Sequence, residues 1–375
     1  MKILITGGAG FIGKWLIEKF PANYEIVVID SLDDQVHKTS PGFASELKAR
    51  AKCIQADVQW IETYAEELEG TDIVIHLAAQ TGTGQSMYEI SKYVQHNANG
   101  TAKLLELVSK LQHKPRRIIL SSSRAVYGDG AYTDGSEVYY PKGRSLENLQ
   151  QGNWEIYGEQ GEQLKALPMQ EKHLTKPTSV YGLTKLWQEQ LLQNYCESQD
   201  IDLAVLRFQN VYGPKQELGN PYTGIIGIFT NAIVQGNQLE IFEDGLMTRD
   251  FVFVGDVAEA VLKCVTDEKP LNAVINVGSG QAVTLLEVVE TIAQLVDKKT
   301  DFRISGRFRV GDIRHAIADM AQYKALFGTW EPTSLQAGLA QYLEWYLGQE
   351  PVSQETLQTS FKEMERTGLL LSKKS

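Results

Sequence analysis

The sequence has few cysteines, no long apolar run and no excess of positive charge. Its 375 residues include 36 lysines and arginines against 47 aspartates and glutamates, so the formal net charge is -11 at pH 7. Binding to nucleic acid is therefore not expected, because contact with phosphates needs a basic face. No apolar run approaches the length of a membrane-spanning helix, so we expect no membrane partner.

The three cysteines, Cys53, Cys196 and Cys264, are widely separated along the chain. They form neither the spacing of a metal site nor a disulfide framework, which predicts no metal centre and a reducing, cytoplasmic location. The stretch "MKILITGG", residues 1–8, carries one lysine and a short apolar run before two glycines. It is too short for a signal peptide and predicts a first β-strand.

Short runs rich in β-branched residues alternate with longer amphipathic segments over the first two-thirds of the chain. The predicted strands are "KILIT" (2–6), "YEIVVID" (24–30), "KCIQAD" (52–57), "DIVIHLAA" (72–79), "RRIILSSS" (116–123) and "LAVLRFQNVYG" (203–213). This alternation is typical of a doubly wound parallel sheet with helices on both faces. We therefore predict an α/β fold whose first domain covers residues 1–213, with segments of 250–277 as candidates for addition to its sheet.

The remainder of the chain is less regular, with shorter elements and many glycine, proline and asparagine residues. We interpret residues 214–350 as a smaller C-terminal α/β lobe and 351–375 as a tail whose end, "TGLLLSKKS", frays. The segment 129–176 interrupts the strand–helix alternation, is polar and lacks a long apolar period. A solvated surface loop near the cleft is the simpler interpretation of this segment, and a lid is the alternative.

A glycine-rich turn follows the first predicted strand. In "TGGAGFIG", residues 6–13, Gly7, Gly10 and Gly13 come directly before and within the start of a helix. A side chain there would block a pyrophosphate, whereas the helix N-terminus offers free N–H groups and positive dipole. Asp30, at the end of the second strand, can bind an adenosine ribose and would repel a 2′-phosphate, so NAD is favoured over NADP. A glycine turn that only packs a helix on a strand is the alternative.

A second acidic residue, Asp57, ends the third predicted strand. Its carboxylate could accept a hydrogen bond from the adenine amino group of the dinucleotide. It could equally cap the helix that follows. The sequence leaves both interpretations open.

A tyrosine and a lysine lie four residues apart in "SVYGLTK", residues 179–185, which places Tyr181 and Lys185 on one helix face. Tyrosine has a pKa of about 10, so it needs about 4 kcal/mol of differential stabilisation, from an ammonium group and a positive nicotinamide ring, to become a base near pH 7. The same spacing recurs at Tyr88 and Lys92. We prefer Tyr181 because it follows the serine-bearing strand, and we interpret the earlier pair as an amphipathic surface pair.

Together these motifs resemble the extended short-chain dehydrogenase/reductase family of NAD-dependent nucleotide-sugar epimerases and dehydratases. The motifs that carry the resemblance are "TGGAGFIG" (6–13), Asp30, "HLAA" (76–79), "SSS" followed by "VYG" (121–128), "SVYGLTK" (179–185) and "RFQNVYGP" (207–214). The resemblance spans nearly the whole chain. It implies a Rossmann domain with tightly held NAD, a smaller lobe that binds a nucleoside-diphosphate sugar, and a homodimer formed through the helices of 99–113 and 181–198.

The resemblance also implies a role for individual residues. The residues implied for NAD are Gly7, Gly10, Phe11, Ile12, Gly13, Asp30, Asp57, Val58, Leu77, Ala78, Ala79, Gln80, Tyr181, Lys185 and Phe208. The implied catalytic residues are Ser123, which binds the reacting hydroxyl, Tyr181, which is the base, and Lys185, which holds the nicotinamide ribose.

The substrate side is implied in the same way. The implied contacts are Gln85, Ser86, Ser123, Asn210, Arg249 and Arg309. The two arginines are expected on the diphosphate, because a planar guanidinium group binds phosphate oxygens in pairs. Arg314, close by in the sequence, is expected to be a surface ion-pair partner.

The stretch "SSSRAVYG", residues 121–128, lacks acidic residues where some relatives have them. By resemblance, relatives that eliminate water at C5–C6 carry two acids directly after the catalytic hydroxyl, and decarboxylating relatives keep a glutamate there. This chain has Arg124 and Ala125 after Ser123. One base and one hydride acceptor remain, which suffices for oxidation and reduction at a single carbon and predicts C4 epimerisation.

Other functions use similar residues and stay open at this point. A reductase of 4-keto nucleotide sugars would share the catalytic residues, although Asp30 counts against NADPH. A scaffold that only binds NAD would usually lack the tyrosine or the lysine, and both Tyr181 and Lys185 are present. A UDP-hexose 4-epimerase would use the same chemistry on another sugar.

The loops near the expected sugar site narrow the substrate by resemblance alone. Residues 82–90, 220–229 and 242–251 resemble the loops of epimerases that interconvert dTDP-L-rhamnose and dTDP-6-deoxy-L-talose. A missing hydroxyl is worth only a few kcal/mol of discrimination, so elementary physics does not select a 6-deoxy sugar.

Overall fold

The structure is a computed structural model that describes residues 1–37, 42–220, 222 and 224–374. Its centre is a seven-stranded sheet, whose strands we number β1 (Lys2–Thr6), β2 (Glu25–Asp30), β3 (Lys52–Gln55), β4 (Ile73–His76), β5 (Arg117–Ser123), β6 (Asp202–Phe208) and β7 (Ala273–Val277). All neighbouring strands are parallel, and their order is β7-β6-β5-β4-β1-β2-β3. This is the Rossmann arrangement, so the predicted fold class is confirmed.

The sheet is covered on both faces, which explains why its strands have near-continuous apolar sequences. Side chains alternate between the faces: Ile3 and Ile5 pack on one side, with the helix Phe11–Lys19. Leu4 packs on the other side, with the helix Gly100–Lys110. Two separate hydrophobic cores therefore fix the sheet between helical layers.

The helices of the described residues fill the intervals between the strands and build the second lobe. Their bounds are Phe11–Lys19, Ser45–Arg50, Ala65–Leu68, Thr83–Ser86, Ile90–Tyr93, Gly100–Lys110, Leu146–Gln150, Val180–Gln199, Ile225–Gln235, Val254–Thr266, Leu285–Leu295, Ala321–Phe327, Leu335–Tyr346 and Gln354–Arg366. Two 3₁₀ helices, Val58–Tyr64 and Arg124–Tyr127, and one π-helical stretch, Val94–Asn99, complete the set. No helix in the described ranges is long and apolar enough to span a membrane.

The smaller lobe is α/β, as predicted, and has a third hydrophobic core of its own. Its short strand pairs are Asn210–Tyr212 with Phe251–Phe253, Leu239–Ile241 with Phe302–Ile304, Thr248–Arg249 with Val283–Thr284, and Arg307–Arg309 with Leu370–Ser372. The predicted boundaries at residues 213 and 350 stay predictions. Strand β7 comes from the late segment 250–277 and lies in the main sheet.

The segment 129–176 is structured, so its interpretation as a solvated loop is wrong. It contains a three-stranded antiparallel sheet of Tyr132–Thr133, Val138–Tyr139 and Lys165–Ala166. A small core of Tyr132, Ile156 and Leu164 is buried beneath it. These apolar residues are few and far apart in the sequence, so they leave no periodic signal.

The end of the chain also differs from the prediction of a frayed tail. After the helix Gln354–Arg366, Leu370–Ser372 forms an antiparallel strand beside Arg307–Arg309. Leu370 is buried in this pairing, and the Lys374 backbone N–H donates to the Gln150 carbonyl at 2.8 Å. The tail thus joins segment 129–176 to a strand of the smaller lobe.

Candidate active site

A cleft of about 1140 Å³ opens at the carboxyl ends of the central strands. This edge, where the strand order reverses between β1 and β4, is where ligands bind in open α/β sheets. The cleft is lined by all the residues predicted for NAD: Gly7, Gly10, Phe11, Ile12, Gly13, Asp30, Asp57, Val58, Leu77, Ala78, Ala79, Gln80, Tyr181, Lys185 and Phe208. Residues scattered over two hundred positions therefore meet in one place.

The glycine turn at one end of the cleft has no room for side chains. Gly7 has a φ of +71°, and a Cβ there would lie 2.7 Å from the backbone nitrogen of Ala78. A Cβ on Gly13 would lie 2.4 Å from the Gly8 carbonyl oxygen. The helix Phe11–Lys19 begins at this turn without a side-chain cap. Its first N–H groups are thus available to a pyrophosphate, and the turn fits a dinucleotide.

Asp30 is held in place beside the turn. One carboxylate oxygen accepts from the Ala9 N–H at 3.0 Å, and the other from the Leu32 N–H at 2.9 Å. The His37 ring lies 3.5 Å from the second oxygen. Each carboxylate oxygen can accept a further hydrogen bond, so Asp30 fits the ribose hydroxyls of NAD.

Affinity for the two dinucleotides tests this assignment. Apo protein is expected to bind NAD more tightly than NADP, because the Asp30 carboxylate would repel a 2′-phosphate. The charge-assisted hydrogen bond to the ribose is worth about 1.5–3 kcal/mol, or roughly 10- to 150-fold in affinity. Asp30→Asn keeps the shape of the side chain and removes its charge, so the ratio of NAD affinity to NADP affinity should fall. A wild-type preference for NADP would contradict the role of Asp30.

Asp57 both caps a helix and faces the cleft. Its carboxylate accepts from the Gln59 N–H at 2.8 Å and lies 3.0 Å from the His96 ring nitrogen. Burial raises the pKa of Asp57, but the hydrogen bonds from His96 and Gln59 outweigh it and hold the pKa below its usual value. The cap is therefore observed, and the adenine contact stays a prediction.

Tyr181, the predicted base, stands in the first turn of the long helix Val180–Gln199. Ser179 caps this helix by accepting from the Gly182 N–H at 3.1 Å. The hydroxyl of Ser86 accepts from the N–H of Tyr181 at 3.0 Å. Two short polar side chains thus fix the backbone that carries the tyrosine.

Ser123, Tyr181 and Lys185 come together as predicted for a proton-transfer site. Ser123 ends β5, and its hydroxyl is close enough to the Tyr181 hydroxyl to act on the pKa of the tyrosine. The Lys185 ammonium donates to the carbonyl of Ser121 at 2.8 Å. Ser121 lies two residues before Ser123 on the same strand. The lysine is therefore anchored beneath the tyrosine, with its remaining N–H groups available to a ribose.

The surroundings of Tyr181 and Lys185 disfavour the charged form of each side chain. Burial raises the pKa of Tyr181, while the hydrogen bond from Ser123 and the charge of Arg124 act to lower it. Burial lowers the pKa of Lys185 to about 7, against the attraction of Glu189. The protein alone therefore keeps Tyr181 protonated at neutral pH, and charges that arrive with ligands have to favour the phenolate.

The second tyrosine–lysine pair lies elsewhere. Tyr88 precedes the helix Ile90–Tyr93, so it does not share a helix face with Lys92. Its hydroxyl donates to Glu363 of the C-terminal helix at 3.3 Å. Lys92 lies 3.8 Å from one carboxylate oxygen of Asp33 and 3.8 Å from one of Glu89. Tyr88 and Lys92 thus contact different acidic residues and do not form one pair on the surface.

The predicted substrate residues occupy different surroundings. Ser123 and Asn210 line the cleft. Gln85 instead exchanges hydrogen bonds with Gln35 at 2.8 and 2.9 Å, and the Ser86 hydroxyl donates to the Thr83 carbonyl. Their observed contacts hold the loop, and contact with a sugar stays a prediction. In the predicted loop 220–229, positions 221 and 223 lie outside the described residues.

The two predicted diphosphate arginines differ in their contacts. Arg249 is buried and donates to the Asp312 carboxylate at 3.0 Å and to the Ile313 carbonyl at 2.9 Å. The Arg309 guanidinium stacks 5.3 Å from the Phe242 ring centroid and 5.9 Å from that of Phe361. Arg249 is thus partly neutralised by an ion pair, whereas Arg309 stacks on aromatic faces and forms no ion pair within 4 Å among the described residues.

Arg314 is not a surface residue, which corrects the prediction. It is 1% exposed and forms ion pairs with Glu155, Glu243 and Asp244. Glu155 belongs to segment 129–176, whose attachment to the smaller lobe the sequence did not indicate. The predicted ion pairing is present, but it is buried.

Comparison with known proteins identifies the family. Residues 3–145 and 148–278 match the NAD dependent epimerase/dehydratase family. The chain belongs to this family. It is 38% identical over 351 residues to the dTDP-L-rhamnose 4-epimerase of Burkholderia thailandensis, covering 92% of this chain and 94% of the relative.

Solved structures of family members agree with the assignment. The UDP-glucose 4-epimerase of Thermotoga maritima with UDP-glucose has a TM-score of 0.73 at 29% identity, covering 92% of this chain and 99% of that chain. The UDP-glucuronic acid 4-epimerase of Bacillus cereus, in complex with UDP-glucuronic acid and NAD, has a TM-score of 0.73 at 26% identity, covering 92% and 98%. This protein is an extended short-chain dehydrogenase/reductase with NAD as its cofactor. The matches also support C4 epimerisation of a nucleoside-diphosphate sugar.

Proposed function

We propose that this enzyme interconverts dTDP-L-rhamnose and dTDP-6-deoxy-L-talose by inversion at C4. The observation that carries the chemistry is the meeting of Ser123, Tyr181 and Lys185 in one cleft. Arg124 and Ala125 follow where elimination or decarboxylation would need an acid. The 38% identity to a dTDP-L-rhamnose 4-epimerase supports the choice of substrate.

The roles of the site residues follow from their contacts. Ser123 hydrogen-bonds the 4-hydroxyl of the sugar, and Tyr181 takes its proton and later returns it to the oxygen at C4. Lys185, anchored on the Ser121 carbonyl, holds the nicotinamide ribose. When NAD is bound, it supplies the oxidation and the reduction at C4. Positions 124 and 125, directly after Ser123, carry no acid that could act on a bond beyond C4.

A substrate panel tests the proposal. Purified protein is incubated separately with dTDP-L-rhamnose, a dTDP-hexose, UDP-galactose and UDP-N-acetylglucosamine without added reductant, and the products, including inversion at C4, are followed by NMR. We expect turnover of the dTDP sugar and no 4-keto-6-deoxy product from a dTDP-hexose. Turnover of a UDP sugar alone would change the substrate but keep the mechanism. Turnover of 4-keto sugars with consumption of NADPH would establish a reductase instead.

A homodimer is part of the proposal. Leu183 and Trp187 lie four residues apart on the long helix Val180–Gln199 and are 57% and 53% exposed. Side chains at this spacing share one helix face, and large exposed apolar patches mark interaction sites. This supports a four-helix contact between two copies through residues 99–113 and 181–198.

Replacing the central tryptophan of this face tests the contact. Trp187→Glu places a charge in the proposed interface and is expected to yield monomers, as measured by light scattering after gel filtration. Trp60→Glu is the matched control, because Trp60 is 67% exposed and lies outside the two helices. A wild-type monomer, or a dimeric Trp187→Glu variant, would contradict the interface.

A cytoplasmic location completes the proposal. Cys53, Cys196 and Cys264 are all free cysteines. Free thiols persist in a reducing compartment, which supports this location. We also propose the division into an NAD-binding domain over 1–213 and a sugar-nucleotide lobe over 214–350.

A further inference from the structure

Arg124 comes directly after Ser123, the residue predicted to bind the reacting hydroxyl. Its half-buried side chain lines the cleft beside Ser123 and Tyr181. Among the residues that the structure describes, no hydrogen bond or ion pair engages its guanidinium group. Arginine side chains removed from water normally pair with an anion, so this position indicates a charge that a ligand supplies.

The charges around Arg124 do not balance. Arg124, Arg144, Arg249 and Arg309 all act on the half-buried carboxylate of Asp312, and of these Arg144 is itself paired with Glu243. The second carboxylate near Arg124 is Asp129. With Arg144 neutralised by Glu243, the three other guanidinium groups face two carboxylates, which leaves positive charge uncompensated even when both carboxylates are ionised. A neutral sugar cannot supply the missing anion, whereas a diphosphate can.

The position of Arg124 selects one end of that diphosphate. The charge of Arg124 acts on Tyr181, where the sugar is expected to react. Arg124 is also close enough to Arg249, which the family resemblance assigns to the diphosphate, for the two positive charges to repel each other. The phosphate that carries the sugar is the anion that lies between these two places in a nucleoside-diphosphate sugar.

We propose that Arg124 binds the sugar-proximal phosphate of the substrate. This inference rests on the proposed function, because it takes the ligand to be a nucleoside-diphosphate sugar. A guanidinium group suits the task, since its planar fork donates two parallel hydrogen bonds to phosphate oxygens. The arginine thus stands where related enzymes place an acid, and it contributes to binding instead of proton transfer.

Such a contact is made in the ground state and kept throughout the reaction. Its loss raises KM and the dissociation constant while kcat changes little. Removing one charge-assisted contact is expected to weaken binding by about 10- to 150-fold. The affinity for a ligand without the sugar-proximal phosphate should not change.

The test compares Arg124→Met and Arg124→Lys with wild type, all loaded with NAD. Dissociation constants are measured by calorimetry for dTDP and dTMP, and kcat and KM for the sugar nucleotide. We expect Arg124→Met to lose dTDP affinity about 10- to 150-fold with dTMP binding unchanged, and Arg124→Lys to recover part of the loss. Arg303→Met is the matched control, because Arg303 is 65% exposed and paired with Glu240.

Different results separate the possible failures. Unchanged dTDP affinity in Arg124→Met would overturn the proposal. So would a lower kcat with a shifted pH profile and an unchanged KM, because Arg124 would then act on Tyr181. Equal losses for dTDP and dTMP would place the contact on another part of the nucleotide. A wild-type protein that binds neither dTDP nor UDP would contradict the proposed function itself.

Discussion

Tyr181→Phe is expected to lower kcat by about 10²- to 10⁴-fold, the range that a positioned acid–base group contributes. The change removes only the hydroxyl that we propose exchanges a proton with the 4-oxygen. The ring remains packed against Tyr93, whose centroid lies 6.4 Å away, so the substrate should still bind. Steady-state kcat and the dissociation constant of the sugar nucleotide measure the two effects separately.

Tyr88→Phe is the matched control for this variant. Tyr88 lies outside the cleft and loses one hydrogen bond, to Glu363. We expect nearly wild-type turnover, with a stability loss of about 1 kcal/mol. A large drop in kcat for Tyr88→Phe, with Tyr181→Phe active, would show that the base is assigned to the wrong tyrosine.

Arg249→Ala is expected to lower the free energy of unfolding by about 1–3 kcal/mol, the cost of leaving a buried acceptor without its donor. The variant leaves Asp312 without its ion-pair partner at 3.0 Å and frees the Ile313 carbonyl. Denaturant unfolding of the wild type and the variant gives the difference. The sequence alone assigns this arginine to the substrate only, whereas its contacts add a structural role.

Arg309→Ala is expected to weaken binding of the sugar nucleotide with little change in the stability of the fold. Arg309 has aromatic neighbours but no ion pair among the described residues, so its loss should leave unfolding nearly unchanged. KM for the sugar nucleotide is expected to rise about 10- to 150-fold. Wild-type stability for Arg249→Ala, or an unchanged KM for Arg309→Ala, would contradict the division of roles.

The parts of the fold that sequence reasoning found are those with local signals. Continuous apolar runs such as "KILIT" predict buried parallel strands because both faces of the sheet are covered. The glycine turn and Asp30 follow from steric and electrostatic needs at fixed positions after a strand. Tyr181 was separated from Tyr88 by chain order alone, because the carboxyl end of β5 and the long helix meet at one edge.

The parts that sequence reasoning missed depend on contacts between distant segments. The ion pair between Arg314 and Glu155 joins residues 159 positions apart, and neither sequence neighbourhood indicates the other. The strand Leu370–Ser372 exists because Arg307–Arg309 offers it an edge. The sequence likewise does not show whether the charge of Arg124 is neutralised, since that depends on which carboxylates the fold places beside it.

The central claim is that oxidation and reduction occur at the same carbon of one bound sugar. Substrate deuterated at C4 tests it directly, with purified protein, no added reductant and detection by NMR and mass spectrometry. The account predicts a C4-inverted product that keeps its deuterium at C4, because the label leaves and returns within one site. A product that carries solvent hydrogen at C4 would contradict it, since inversion would then proceed by exchange of a proton at carbon.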